Sequence, residues 1–406
     1  MCDDEGSCPI LAGDRSGSGR SPAVNSFWGV RWRVRSEKAM SGKSPILTIR
    51  RLQATPVLVP MNYALGTSRA RVTSAPLLLV DLETEEGVTG RSYLFCYLPA
   101  AAPAIAKLLE HIEAAVKGRP VTPVEMWRNL ATQFTLIGVQ GIVRMAMAAL
   151  DVAAWDALAI AAGVPLVRFL GGEIKPVRAY NSCGLGLMEQ ASAVADEAEK
   201  LLAGGFRAVK LRLGYPTAEQ DIAALRAVRK RIGEAVSLMV DYNQALSVAE
   251  ALHRGRMLDA ENVFWLEEPI RHDDYGGLAK LAAELKTPVQ IGENFSETTS
   301  MAAAIAAEAC DFVMPDLERI GGVSGWQRAA ALAFANGIEM SSHLFPEVSA
   351  HLLAATPTCH FLEYVDWADK ILQEPLRIKD GVAIAPDRPG NGLVWDADAV
   401  RRYRLN

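Results

Sequence analysis

Six cysteines, Cys2, Cys8, Cys96, Cys183, Cys310 and Cys359, are spread through the sequence without a single CxxC pair. That absence excludes the usual zinc ribbons and dithiol redox sites, and isolated reduced thiols point to a cytoplasmic protein. No apolar run of about 18 to 20 residues escapes interruption by charge, so no membrane span is expected. Basic excess is missing too: the net charge is -5, which makes nucleic acid and anionic membrane poor candidates and a small molecule the expected partner. Residues 1–39 lack the apolar core of a secretory signal, and no GxGxxG follows a first βα strand. What is present is 406 residues, 50% of them hydrophobic, enough for a sizeable core and two or three domains.

The pattern changes along the chain. Residues 1–39 mix acids, Gly, Ser and Arg and read as a disordered extension. Residues 40–170 combine β-like runs, ILTIRRLQATPVLVP and APLLLVDLETEEGVTGRSYL, with Ala-rich helical stretches ending in GIVRMAMAALDVAAWDALAIAAG. These make an α+β domain. From 171 to 375 eight short β-like runs alternate with helices: VRAYNS, RAVKLRL, SLMVDYN, VFWLEEP, PVQIGEN, DFVMPD, GIEMSSH and HFLEY. Eight βα units close a barrel, so the fold class is α/β, a C-terminal (β/α)8-type barrel with an N-terminal α+β capping domain. Residues 376–406 form a segment returning to that domain.

Asp241, Glu267, Glu293, Asp316, His343 and Glu363 each fall at the carboxyl end of one run, spaced 20 to 27 residues apart, about one βα unit. In a barrel these ends meet at one mouth, so six ionisable groups share one site. Three carboxylates on successive strands, Asp241, Glu267 and Glu293, repel one another unless a cation joins them. All-oxygen ligation suits Mg²⁺, with Mn²⁺ as a substitute. The bland alternative, three separate rim ion pairs, is disfavoured by the shared register. Glu268 follows Glu267 and is expected on the opposite strand face.

Lys210 and Arg212 lie two apart and face one side of their strand, with Val209, Leu211 and Leu213 on the other. Two cations directed into a barrel need anions, from the carboxylate cluster or a bound substrate. Asp316 and His343 end adjacent strands, where a carboxylate can fix the imidazole tautomer and raise its basicity.

With these residues placed, the chain resembles the enolase superfamily, and within it the mandelate racemase group, from about Ile46 to the C-terminus. The strings that carry the likeness are GFRAVKLRLGYP, MVDYNQ, WLEEP, IGEN, MPD, IGGVSGW and MSSHLFPEVSAHLLAATPT ending in HFLE. The resemblance implies Asp241, Glu267 and Glu293 as Mg²⁺ ligands, Lys210 as a contact to the substrate carboxylate, and Asp316 with His343 as the base dyad. It implies Glu363 as an acid toward the substrate carboxylate, and Ser182 and Asn243 as substrate or metal-shell contacts. Loops around Tyr63 to Thr73 and Phe95 to Tyr97 would shape the pocket, with Leu65, Val72, Phe95, Tyr97, Leu344 and Val365 as lining. The implied chemistry is α-proton removal from a 2-hydroxy carboxylate through an enediolate, and family members usually assemble as homo-oligomers.

Arg212 departs from the family's KxK motif, whose second Lys is the other base of racemisation. Forming a neutral arginine at pH 7 costs roughly 7 kcal/mol or more, against about 4.6 for an unshifted lysine. Three readings stand: a racemase or epimerase of hydrophobic 2-hydroxy acids, favoured by the apolar pocket positions; an acid-sugar dehydratase using His343 as base and acid, to which Arg69 and Arg71 lend support; and a non-catalytic carboxylate-binding protein.

Overall fold

The computed structural model describes residues 46–68 and 71–405. The expected extension at 1–39 and the residue Arg69 lie outside them. Strands β1 (Ile49–Gly66), β2 (Arg71–Thr84) and β3 (Thr89–Phe95) form an antiparallel meander. Alternation along β2 and β3 sends Leu78, Val80, Leu82 and Leu94 to a core shared with α1 (Ala101–Val116), α2 (Pro123–Gln133) and α3 (Gly141–Ala161). The opposite face, with Leu77, Leu79, Tyr93 and Phe95, joins the core of the barrel. Both faces of this sheet are therefore covered, which is why its strands read as near-continuous apolar runs.

The eight expected βα strands are all present: β4 (Val177–Asn181), β5 (Ala208–Arg212), β6 (Ser237–Asp241), β7 (Leu266–Glu267), β8 (Val289–Ile291), β9 (Phe312–Val313), β10 (Glu339–Met340) and β11 (Leu362–Tyr364). They pair in parallel in chain order from β4 to β10, and β11 pairs β4. A parallel bridge between Met340 and Cys359 joins β10 to the approach of β11 and closes the ring. Period-2 alternation on β5 is as expected. Val209, Leu211 and Leu213 pack outward against helical residues such as Val194 and Leu225, while Lys210 and Arg212 face the barrel interior. Below the mouth the interior is filled by Tyr180, Met239, Trp265 and Phe361.

The C-terminal segment runs back to the meander. Leu405 N donates to Pro56 O, Asn391 Nδ2 to Arg91 O and Trp395 Nε1 to Asp81. A second tie, from the Tyr93 hydroxyl to Glu347 at 2.6 Å, fastens β3 to the barrel helix Pro346–Ala354. Among the described residues no cysteines are paired, and no helix is long and apolar enough to cross a membrane.

Candidate active site

Three carboxylates converge where β6, β7 and the turn after β8 end. Ligand oxygens of Asp241, Glu267 and Glu293 lie within 4.8 Å of one another. Each is oriented locally. Asp241 accepts from Asn243 N at 2.7 Å and from Asn243 Nδ2 at 3.0 Å, a turn that needs the left-handed backbone of Asn243 and Gln244. Glu267 accepts from Trp265 Nε1 at 3.0 Å, two residues back on the same interior face. Glu293 takes the side-chain amide of Asn294 at 3.1 Å.

Lys210 Nζ stands among the acids, 2.5 Å from Glu267, 2.9 Å from Glu363 and 3.4 Å from Asp241. Burial alone would lower its affinity for a proton; the three carboxylates outweigh that and hold it as an ammonium. Burial and the neighbouring acids push Glu267 up to about 8 despite Lys210. The cluster carries more negative charge than one lysine balances, as a site for a divalent cation would.

Asp316 caps the short helix Leu317–Ile320, its Oδ1 accepting from the backbone N–H groups of Glu318 and Arg319. That leaves Oδ2 for His343, whose Nδ1 donates to it at 2.6 Å. Nε2 of the imidazole lies 3.2 Å from Glu293 and 3.9 Å from Glu363. Burial would favour the neutral ring, but these carboxylates and the Asp316 bond raise its proton affinity well above the ordinary histidine range. Glu363 accepts from Leu344 N at 2.8 Å. Burial tends to raise its value; Lys210 and His343 outweigh that and hold it low.

A cavity of about 430 Å³ opens over these groups, bounded by Lys210, Arg212, Asp241, Asn243, Glu293, His343 and Glu363. Leu65, Val72, Phe95, Tyr97 and Leu344 line it as expected from the sequence. Two expected residues are not in the lining, Ser182 as a substrate or metal-shell contact and Val365 as part of the wall. Ser182 is fully buried and spends its hydroxyl and carbonyl on Arg212, at 3.0 and 3.2 Å. Val365 lies one residue past the end of β11, where strand alternation no longer fixes its direction, and is buried in the hydrophobic core. Arg71 is exposed and apart from the lining.

Thr67, within the loop expected at Tyr63 to Thr73, also lines the cavity, and sequence reasoning missed Leu98, Gln244, Asn294, Arg319 and Trp367, which line it too. Asn294 could have been found beside Glu293 in IGEN, and Arg319 one helical turn after Asp316. The others sit on loops whose direction no periodicity gives. Glu268 also differs from expectation. It takes a left-handed φ of 35°, which breaks strand alternation, and is buried beside the acids, accepting from Asn294 at 2.7 Å.

Residues 46–171 match the mandelate racemase/muconate lactonizing enzyme N-terminal domain, and residues 193–399 the enolase C-terminal domain-like family. A solved structure described as an enolase from α-proteobacterium BAL199, with bound magnesium, is 45% identical and superposes with a TM-score of 0.86 over 88% of this chain and 100% of that one. Another, from Bradyrhizobium, complexed with magnesium and mandelic acid, is 40% identical with a TM-score of 0.85 over 89% and 99%. The L-talarate/galactarate dehydratase of Salmonella typhimurium is 30% identical over 86% of this chain and 88% of its own length. Sequence, barrel topology and the clustered acids agree: this chain belongs to the mandelate racemase/muconate lactonizing enzyme family of the enolase superfamily.

Proposed function

We propose that this protein is a Mg²⁺-dependent enzyme that removes the α-proton of a 2-hydroxy carboxylate, with His343 as the proton-transferring group. The observation that carries the reading is the His343–Asp316 pair at 2.6 Å beside three carboxylate ligands. Asp241, Glu267 and Glu293 would hold the cation, since a compact, buried, all-oxygen donor set suits Mg²⁺, with Mn²⁺ as a substitute. Bound there, the ion would polarise the substrate carboxylate and stabilise charge developing on its oxygens. Asp316 holds Nδ1–H of His343, so Nε2 is the atom that takes the proton. Neutralising Glu293 would bring the imidazole down toward the range a base needs. Lys210, already an ammonium among acids, would meet the substrate carboxylate.

Of the two outcomes open to the resulting enediolate, dehydration is favoured over racemisation by the surroundings of Arg212. Its guanidinium donates to Gly184 O at 2.7 Å, Ser182 O at 3.2 Å and Ser182 Oγ at 3.0 Å. Three fixed acceptors engage its N–H groups, and a guanidinium is a poor candidate for a second base. Elimination needs one face only: His343 removes the α-proton and returns it to the departing β-hydroxyl, leaving an enol that becomes a 2-keto acid. The dehydratase from Salmonella typhimurium supports this reading. Racemisation of a hydrophobic acid is the second reading, supported by the apolar wall of Leu65, Val72, Phe95 and Trp367 and by the mandelic acid bound to the Bradyrhizobium relative.

The test is NMR-detected α-proton exchange in D₂O across mandelate and a panel of acid sugars, with Mg²⁺ present. Mg²⁺-dependent exchange is expected, with 2-keto acid accumulating from a sugar acid. Absence of exchange and of keto acid from every compound would sink the enzyme reading.

A further inference from the structure

The proposed chemistry makes no use of Arg319, yet three parts of the site meet on its side chain. It lies in the helix capped by Asp316. One guanidinium nitrogen, NH1, donates to the backbone carbonyl of Glu293 at 3.0 Å and to Asn294 Oδ1 at 2.7 Å. Asn294 passes the contact on, its amide donating to Glu268 at 2.7 Å and to Glu293 Oε1 at 3.1 Å. On its other side the guanidinium carbon sits 4.6 Å from the ring centroid of Tyr97, in the loop that follows β3. Tyr97 is itself braced against Phe95 at 4.6 Å and carries a left-handed backbone, φ 60°.

We propose that Arg319 is a positioning residue that sets Glu293 as a cation ligand and links it to the Tyr97 ring of the capping loop. The inference rests on the metal-dependent reading above. A planar guanidinium can hold carbonyl, amide and ring face at once, where an ammonium offers only a point charge. Groups that orient a metal's ligands typically govern affinity by 10- to 100-fold. The sign of the effect separates this role from simple electrostatics. Removing a positive charge beside a cation site should tighten metal binding by Coulomb's law, whereas losing a positioning contact should weaken it.

The experiment is Mn²⁺ titration of the full-length protein, with free Mn²⁺ read by electron paramagnetic resonance, so no substrate or turnover is needed. Arg319→Gln is expected to weaken binding by about 10-fold or more, and Asn294→Ala to weaken it in the same direction. Arg319→Lys should recover to within a few-fold of wild type, because Nζ can reach the same two acceptors. Tyr97→Leu, a change in the other domain, should weaken binding about two- to fivefold through loss of the ring face. If Arg319→Gln does not fold by circular dichroism, the Lys, Asn294 and Tyr97 variants decide. Wild type that binds Mn²⁺ alongside variants that bind equally or more tightly would overturn the role of Arg319 alone. Wild type that binds no Mn²⁺ would remove the metal-dependent reading and this inference with it.

Discussion

Lys210 and Arg212 occupy the same face of β5, but their neighbours give them opposite tasks. Lys210 is ringed by carboxylates, while Arg212 is held by neutral oxygens. If His343 is the only competent base, only the enantiomer whose C–H faces it should exchange in D₂O, and His343→Asn should abolish that exchange. Arg212→Lys restores a group whose neutral form is cheaper by roughly 3 kcal/mol, so it should admit slow exchange of the other enantiomer. Fast exchange of both enantiomers by wild type would refute the one-base account. Away from the site, burial, with a smaller push from Arg388 and against a backbone contact to Asn391, depresses His351 to about 4, and its Nδ1 accepts from Val167 N at 3.3 Å. Because the folded value lies below the unfolded one near 6.5, its contribution is full above that pH and is lost as pH falls toward 4, by roughly 3 kcal/mol. Burial drives Asp156 the other way, up to about 7, so total stability mixes opposite slopes. The stability difference between wild type and His351→Gln isolates the histidine. It should shrink or reverse between pH 6.5 and 4, and a pH-independent difference would count against a neutral buried His351.

At the scale of elements, close approach and capping set the geometry. Gly90 in β3 faces α3 so tightly that a Cβ would stand 2.0 Å from Ala153 O and 2.7 Å from Ala157 N. Gly90→Ala must therefore push strand and helix apart, costing about 3 kcal/mol or more, readable as a lower urea midpoint. An unchanged midpoint would mean the contact relaxes freely. The register of the acids at 241, 267 and 293 was legible because βα units repeat at nearly constant length and every parallel strand ends on the same side. The facing of Lys210 and Arg212 was legible for the simpler reason of period 2. Alternation failed for Glu268 because its strand stops at Glu267, and beyond that point backbone torsion decides where a side chain goes. Ser182 lies past the end of β4, and its use as an acceptor for Arg212 depends on a partner 30 residues away.

For the whole molecule, a cation held between three strands should stabilise the folded state alone. At 100 times its dissociation constant Mg²⁺ should add about 2.7 kcal/mol, seen as a rise in melting temperature that EDTA reverses. Glu267→Gln should abolish that rise, since it removes charge from the fully buried member of the triad. A rise that persists in the variant would place the cation elsewhere. The capping sheet shares a buried core with the barrel, and buried polar contacts cross between them. Tyr93→Phe would leave Glu347 without its hydroxyl donor, at a cost of about 1–3 kcal/mol in thermal or urea unfolding.

The sequence by itself determined the eight-stranded barrel, the carboxylate triad, the His343–Asp316 pairing and the interior facing of Lys210. Each follows from periodicity and residue type, which are local or repeat at fixed spacing. Only the tertiary structure decided that Arg212 is held by Ser182 and Gly184, that Glu363 accepts a backbone N–H, and that Arg319 gathers Glu293, Asn294 and Tyr97. These depend on loops from distant positions meeting at one mouth. There burial and neighbouring charge, rather than residue type, fix what each group can do.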